Sequence, residues 1–480
     1  MPDKKAKKTK YQKLEEKLFI RKKSVWEVWS ESTKKKAFGF AEDYKNFSNN
    51  SKTEREAVKT GIQMAEAQGF KKLSQVKKLK AGDQVYFSQH GKSLILARIG
   101  KKKISETGLK MLMAHVDSPH LDLKVNPLYE DENLAFFKTH YYGAIKKYQW
   151  PTITLALHGV VFLKNGKNQE IKIGEKDSEP IFMITDLLPH LDRPDGPGSK
   201  IETRGIKGED LNLLIGSIPV KDEKIKEKVK LAILAHLNRE YGICEVDFNS
   251  AELQAVPANK ARDLGFDRSL IAAYGHDDRV CSFACLSAFL DAKNISETQI
   301  CMLVDREEIG SDGNTGAQSL FLESFISSLL ALNGEAGNMN LVYKSFYQSK
   351  AISADVTPAL DPDYKDVHDL RGAHHLGFGL AMEKYVGGRG KSFTSEATGE
   401  FIRELKNIFD RDKNLVYQIS GGLGKVDQGG AGTIAMYIAN RNIDIIDAGV
   451  PVLNMHAPLE IVSKADLYCA YLGYKAFLNS

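Results

Sequence analysis

The sequence predicts an α/β domain interrupted by a second, β-rich segment, and three observations carry that prediction. Three short apolar runs each end on a metal-capable or acid/base side chain. Between the first and the second of them the pattern changes to period-two alternation punctuated by Gly and Pro. The chain, 480 residues with 42% hydrophobic content, is also larger than one compact domain.

The elements follow in order. Lys4, Lys5, Lys7, Lys8 and Lys10 open the chain as a solvated, frayed start. From Val25 to about Gly69 apolar residues such as Val25, Val28 and Trp29 recur at helical spacing, with a polar break from Asn46 to Lys52. Gln84 to Ser88 and Ser93 to Arg98, joined by His90-Gly91-Lys92, read as a hairpin. Leu109 to Ala114 is a buried-type strand ending at His115.

The alternating segment comes next, with stretches at Ile153 to Phe162 and Ile181 to Thr185 and turns at Lys164-Asn165-Gly166 and Asp195-Gly196-Pro197-Gly198. Within it Asp222 to Arg239 reads as a charged amphipathic helix. Two further strands, Gln299 to Val304 and Lys350 to Ala354, lead into Asp305-Arg306-Glu307-Glu308 and Asp355. The expected division is residues 1–125 with 245–480 as one α/β domain and 126–244 as the insertion. Open α/β sheets place their sites at such strand ends.

Composition narrows the function. A formal net charge of +5 with 27% charged residues does not imply nucleic acid as a partner. The basic start lacks the apolar core of a signal peptide, and no run is long enough to cross a bilayer, so a cytoplasmic protein without membrane contact is expected. Cys244, Cys281, Cys285, Cys301 and Cys469 are few and odd in number, which fits reduced thiols. Cys281 and Cys285 stand one helical turn apart but have no nearby His or second Cys pair, and are read as buried thiols.

The chemistry lies in five short motifs. In His115-Val116-Asp117, alternation directs the His and the Asp to one side of the backbone, where the acid orients the imidazole. Asp277 and Asp278 precede the helix-like Cys281 to Leu290; either could cap it, but a carboxylate such as Asp277 can also hold two cations, one on each oxygen. Adjacent acids at Glu307-Glu308 suit a solvated turn less well than a pair in which one binds metal and the other moves protons, followed by Gly310, Gly313 and Gly316. Asp355 and His456 are weak signals alone. Together, two His and three carboxylates make the inventory of a dinuclear hydrolase: an end pair for each metal and one shared bridge.

In order and wording these motifs resemble the aspartyl aminopeptidase and vacuolar aminopeptidase I family, from roughly Lys110 to Leu478. The match rests on His115-Val116-Asp117-Ser118-Pro119, Asp277-Asp278-Arg279, Asp305-Arg306-Glu307-Glu308-Ile309-Gly310-Ser311, Ser353-Ala354-Asp355 and Asn454-Met455-His456. The resemblance implies an α/β, mixed-sheet zinc-exopeptidase catalytic domain interrupted by a β-rich dimerisation domain, in homo-oligomers that assemble as tetrahedral dodecamers. It further implies two divalent ions per subunit, zinc first and Mn or Co as alternatives. His115 and Asp355 would bind one ion, Glu308 and His456 the other, and Asp277 both. Asp117 would support His115 and Glu307 would be the general base. His190, in Leu187-Leu188-Pro189-His190-Leu191, would reach across a subunit interface to the substrate carbonyl.

Two departures stand out. Asp278 occupies the place of the family's usual Asn, adding a carboxylate. Tyr148-Gln149-Trp150-Pro151 stands where many relatives carry a Trp and an Asp-Arg pair. The implied activity is release of the N-terminal residue from peptides with a free amine. Neutral or hydrophobic N-terminal residues are favoured, with Asp and Glu open because Lys384 and Arg389 lie where relatives place substrate contacts. A dinuclear carboxypeptidase or deacylase is the rival enzyme, and a non-catalytic shell or cargo protein the rival of another class.

Overall fold

The computed structural model describes residues 8–20, 23–188, 190, 205–421, 424–430 and 432–480. Lys4, Lys5, Lys7 and the turn Asp195-Gly196-Pro197-Gly198 lie outside them, as do Pro189 and Leu191 beside His190. No helix among the described residues is long and apolar enough to cross a membrane.

The helical start resolves into Val25–Val28, Glu31–Asn49 and Glu54–Ala67. The expected break at Asn46 begins later, after Asn49, because Tyr44 and Phe47 keep the helix anchored in the core. The next helix restarts at a capping box in which the Thr53 side chain accepts from the Glu56 N–H and the Glu56 carboxylate accepts from the Thr53 N–H. The hairpin forms as Gln84–Gln89 and Ser93–Arg98, with His90 (φ 52°) and Gly91 (φ 69°) in its turn.

A mixed sheet of nine strands among the described residues organises the molecule, in the order Lys71–Lys72, Gln84–Gln89, Ser93–Arg98, Thr298–Val304, Leu109–His115, Lys350–Ser353, Asp444–Gly449, Leu380–Glu383 and Tyr417–Ser420. The middle strands run parallel, Thr298–Val304 beside Leu109–His115 beside Lys350–Ser353. They are apolar throughout because both faces are covered. Leu112, Ala114, Cys301 and Leu303 face a core shared with helices His276–Asp291 and Lys464–Asn479. Met111, Met113, Ile300 and Met302 face the opposite core, closed by Phe321–Leu332 and Met339–Tyr347. Cys281 and Cys285 are buried in the first of these cores, and all five cysteines are free thiols.

A second sheet draws on residues between His120 and Pro257 and is antiparallel throughout its seven described strands. Its core, including Leu121, Phe137, Trp150, Leu157 and Leu253, is separate from the other two. The helix expected from Asp222 begins instead at Lys228 and ends at Tyr241. Its start is set by the Glu130 carboxylate, which accepts from the N–H groups of Val229 and Lys230 (2.8 and 2.9 Å), and its end by Gly242 in the left-handed region. A small five-stranded sheet that includes Pro451–Leu453 and Glu460–Ser463 completes the fold.

Candidate metal centre

Strand register brings the chemistry together. Val304 pairs with His115, so Glu307 and Glu308 follow just past the level of that imidazole. Ser353 pairs with Met113, and Asp355, two residues on, arrives level with His115. Asp277 comes from the opposite side, ahead of the regular part of the helix His276–Asp291, across a cis Asp277–Asp278 peptide. Gly275 makes that entry possible: its φ is +68°, and a Cβ there would lie 1.8 Å from the Arg279 guanidinium and 2.9 Å from Ser118 Oγ. His456 is carried by the turn after Pro451–Leu453.

The two oxygens of Asp277 face two different histidines. Oδ1 lies 3.1 Å from His115 Nε2, and Oδ2 lies 3.2 Å from His456 Nε2. His115 Nε2 is also 3.7 Å from Asp355 Oδ1 and 4.0 Å from Glu307 Oε2, whereas His456 Nε2 is 3.3 Å from Glu308 Oε2. Two lobes therefore share Asp277 as their common wall. Donor atoms of His115, Asp277 and Glu308 all fall within 4.8 Å of one another, as do those of His115, Asp278 and Asp355. These groupings cut across the two lobes, as expected where neighbouring sites share ligands.

A surrounding layer fixes the orientations. The carboxylate of Asp117 accepts from the N–H groups of Glu307 (3.2 Å) and Glu308 (3.1 Å) and from the Tyr142 hydroxyl (2.8 Å). Its carbonyl lies 3.0 Å from His115 Nδ1. Asp117 thus holds three of the site residues at once. Glu460 accepts from the N–H of Asp277 (3.0 Å) and of His456 (2.7 Å), while His456 Nδ1 meets the carbonyl of Ala144 at 2.8 Å. With Nδ1 of each imidazole engaged by a carbonyl, Nε2 of each is aimed into the shared space, where it can bind a cation once its proton is displaced.

The charges in this cluster do not balance. Burial and the neighbouring carboxylates push Glu307, Glu308 and Asp355 above the ordinary carboxylate range. Asp278 is pushed up likewise, by burial and by Asp355. Burial opposes charge on Asp277 as well, but hydrogen bonds to His115 and His456 hold it low. His456 is raised to about 10, against its burial, by Asp277 and Glu308. Glu308 Oε1 and Asp278 Oδ1 are buried without a hydrogen-bond partner among the described residues. Orphaned oxygens in an acid-rich pocket with imidazole nitrogens are the donor set of divalent cations, and the residues fit zinc.

The centre opens into a chamber of about 380 Å³ lined by Asp277, Glu307, Glu308, Asp355 and His456 together with Val356, Pro358, Val386, Phe393 and Met436. His115 and Asp117 sit behind this wall, both 1% exposed. His190 occupies an exposed turn and is not among the described residues lining the chamber. Lys384 and Arg389 do not line it either: Lys384 pairs with Glu396 at 3.7 Å and Arg389 is exposed.

Sequence reasoning passed over Glu460, Tyr142 and Glu383. Glu460 ends the segment Asn454 to Glu460 and could have been found there as one more acid in a site motif. Tyr142 and Glu383 give no local signal, because only the fold brings them near.

The aminopeptidase I zinc metalloprotease (M18) model matches residues 47–478. A probable M18 family aminopeptidase 1 of Clostridium acetobutylicum is 47% identical over 464 residues, covering 95% of this chain and 98% of the relative. The crystal structure of an M18 family aminopeptidase from Thermotoga maritima superposes with a TM-score of 0.91 at 42% identity, covering 96% of this chain and 99% of that one. The S. cerevesiae mApe1 dodecamer shares the fold at 19% identity, with a TM-score of 0.72 over 91% of this chain and 95% of that one.

Proposed function

The chain belongs to the aminopeptidase I zinc metalloprotease (M18) family and is a metallo-aminopeptidase, and from that premise we propose that it binds two divalent ions on His115, Asp355, Glu308, His456 and a bridging Asp277, with Glu307 as general base. The observation that carries this reading is the placement of Asp277, one oxygen near each imidazole. When bound, the ions would lower the pKa of a water from near 16 toward about 7 and polarise the scissile carbonyl.

The remaining work falls to the protein. Glu307, 16% exposed at its side chain, borders the chamber, takes a proton from the attacking water and delivers it to the departing amine nitrogen. Asp117 holds the backbone of Glu307 and Glu308 and the ring of His115 in register. The acid-rich wall around Glu308 and Asp277 receives the free ammonium of the peptide. His190 of a neighbouring subunit completes carbonyl polarisation, within a dodecamer whose dimer contact is made by the insertion at 126–244. That assembly is supported by the fold shared with the mApe1 dodecamer and by the exposed position of His190. Five free thiols support a cytoplasmic setting.

Zinc is the ion of the family; Mn or Co would suit the same donors. The chamber's apolar walls fit the aliphatic stem of an N-terminal side chain. With no Lys or Arg among its described lining residues, an acidic side chain finds no counter-ion there, nor would the C-terminal carboxylate gripped by a carboxypeptidase. The test is a panel of aminoacyl-anilides, free against N-acetylated, run with metal analysis. Two ions per subunit and cleavage of free amines only are expected. Cleavage restricted to blocked substrates would select the deacylase, and bound metal without turnover the non-catalytic shell.

A further inference from the structure

We propose that Glu383 is the specificity residue of this enzyme and selects peptides whose N-terminal residue is lysine or arginine. The proposal rests on the aminopeptidase reading above and names the substrate class of that site.

Glu383 ends the strand Leu380–Glu383 and pairs across the sheet with Asp447, which in turn pairs with Ser353. It therefore stands two strand spacings, about 10 Å, from the strand that delivers Asp355. That places it in the wall of the chamber beyond the metal ligands. The same side chain lines an adjoining recess of about 350 Å³, which shares Thr357 and Pro358 with the chamber.

Its environment among the described residues holds an imidazole but no lysine or arginine. Glu383 is 4% exposed, and its Oε1 accepts from the Thr357 hydroxyl. His374 Nε2 approaches Oε1 to 3.4 Å, yet neither ring nitrogen of this buried imidazole makes a hydrogen bond among the described residues. No Lys or Arg among them pairs with Glu383 or lines either cavity. Buried carboxylates of this kind are ordinarily paired.

The chamber that Glu383 shares with the reacting centre has apolar walls in Val356, Pro358, Val386, Met436 and Phe393, beside the hydroxyl-bearing Thr357, Thr433 and Tyr437. A chamber with apolar walls and a buried acid complements one kind of side chain, an aliphatic stem with a cationic tip. Leucine would meet the apolar walls and leave the acid unpaired. Aspartate would set a second negative charge against it.

The experiment uses the full-length, zinc-loaded protein and the p-nitroanilides of lysine, arginine, leucine and aspartate. Lysine and arginine are expected to exceed leucine in kcat/KM by about tenfold or more, with aspartate last. Glu383→Gln is expected to lower the lysine-to-leucine ratio by about 10- to 100-fold, the range of a hydrogen bond to a charged group. Calorimetry provides a readout independent of turnover: free L-lysine should bind more tightly than free L-leucine, a margin lost in Glu383→Gln. Leucine or aspartate equalling lysine in the native protein, or an unchanged ratio in the variant, overturns the proposal. If the variant does not fold, the native ranking and the calorimetry decide. Failure to cleave any free-amine anilide overturns the aminopeptidase reading, and this proposal with it, whereas cleavage of all four without preference overturns this proposal alone.

Discussion

His115 and His158 are both fully buried imidazoles held between two acids. His115 ends a strand of the nine-stranded sheet with Asp277 on Nε2 and Asp117 on Nδ1. His158 lies within Leu155–Phe162 of the antiparallel sheet, with Glu56 at 3.0 Å from Nδ1 and Glu175 at 3.1 Å from Nε2. The difference lies one layer out. Around His158 the lysines close the account, since Lys52 pairs with Glu175 at 2.7 Å and Lys172 with Glu56 at 3.5 Å. Around His115 the acids outnumber the cations, two oxygens have no hydrogen-bond partner among the described residues, and a chamber adjoins. A histidine between carboxylates is thus no signature of metal; the surplus of negative charge beside an accessible space is.

The largest effect expected to sharpen this contrast is chelation. Removing divalent ions should abolish peptidase activity, zinc should restore it, and His158→Leu should retain metal in the native stoichiometry by elemental analysis. Glu307→Gln should come next, lowering kcat by about 10²- to 10⁴-fold with both ions still bound. A variant that keeps more than a third of native kcat would remove Glu307 from its role.

At the balanced site the consequence is stability. His158→Leu leaves acids buried without their imidazole and should cost about 3 kcal/mol in urea unfolding. Burial lowers the His158 pKa, but its hydrogen bonds to Glu175 and Glu56 raise it overall. Its contribution is therefore complete below the unfolded imidazole value of about 6.5 and is lost as pH rises through the raised native value. The native-minus-variant difference should accordingly shrink in alkali; a difference that grows with pH would contradict the assignment. The smallest of these effects belongs to Asp117→Asn, which keeps the ligands but weakens the carboxylate's hold on the N–H groups of Glu307 and Glu308 and on the Tyr142 hydroxyl, with about 10- to 100-fold loss of metal affinity or activity.

Much of this was legible along the chain. The hairpin, the three strands that end on His115, Asp305 and Asp355, and the ordered motifs are local patterns, because short apolar runs and their terminal acids are written in consecutive residues. What escaped depended on contacts between distant residues. The helix expected from Asp222 starts six residues later because Glu130, on another strand, caps it. Lys384 and Arg389 looked like substrate contacts by position, yet their neighbours Glu383 and Val386 line the chamber, and only the folded path of the chain decides which of these side chains reaches it. Glu460 and Tyr142 join the centre through hydrogen bonds that no spacing announces.

The carbonyl that meets His456 belongs to Ala144, and the hydroxyl that meets Asp117 belongs to Tyr142, the last residue of the strand Leu134–Tyr142 in the antiparallel sheet. The hydrolytic machinery is therefore a seam between two sheets, and a substitution that shifts one sheet against the other disturbs both ligand shells at once, without touching a ligand.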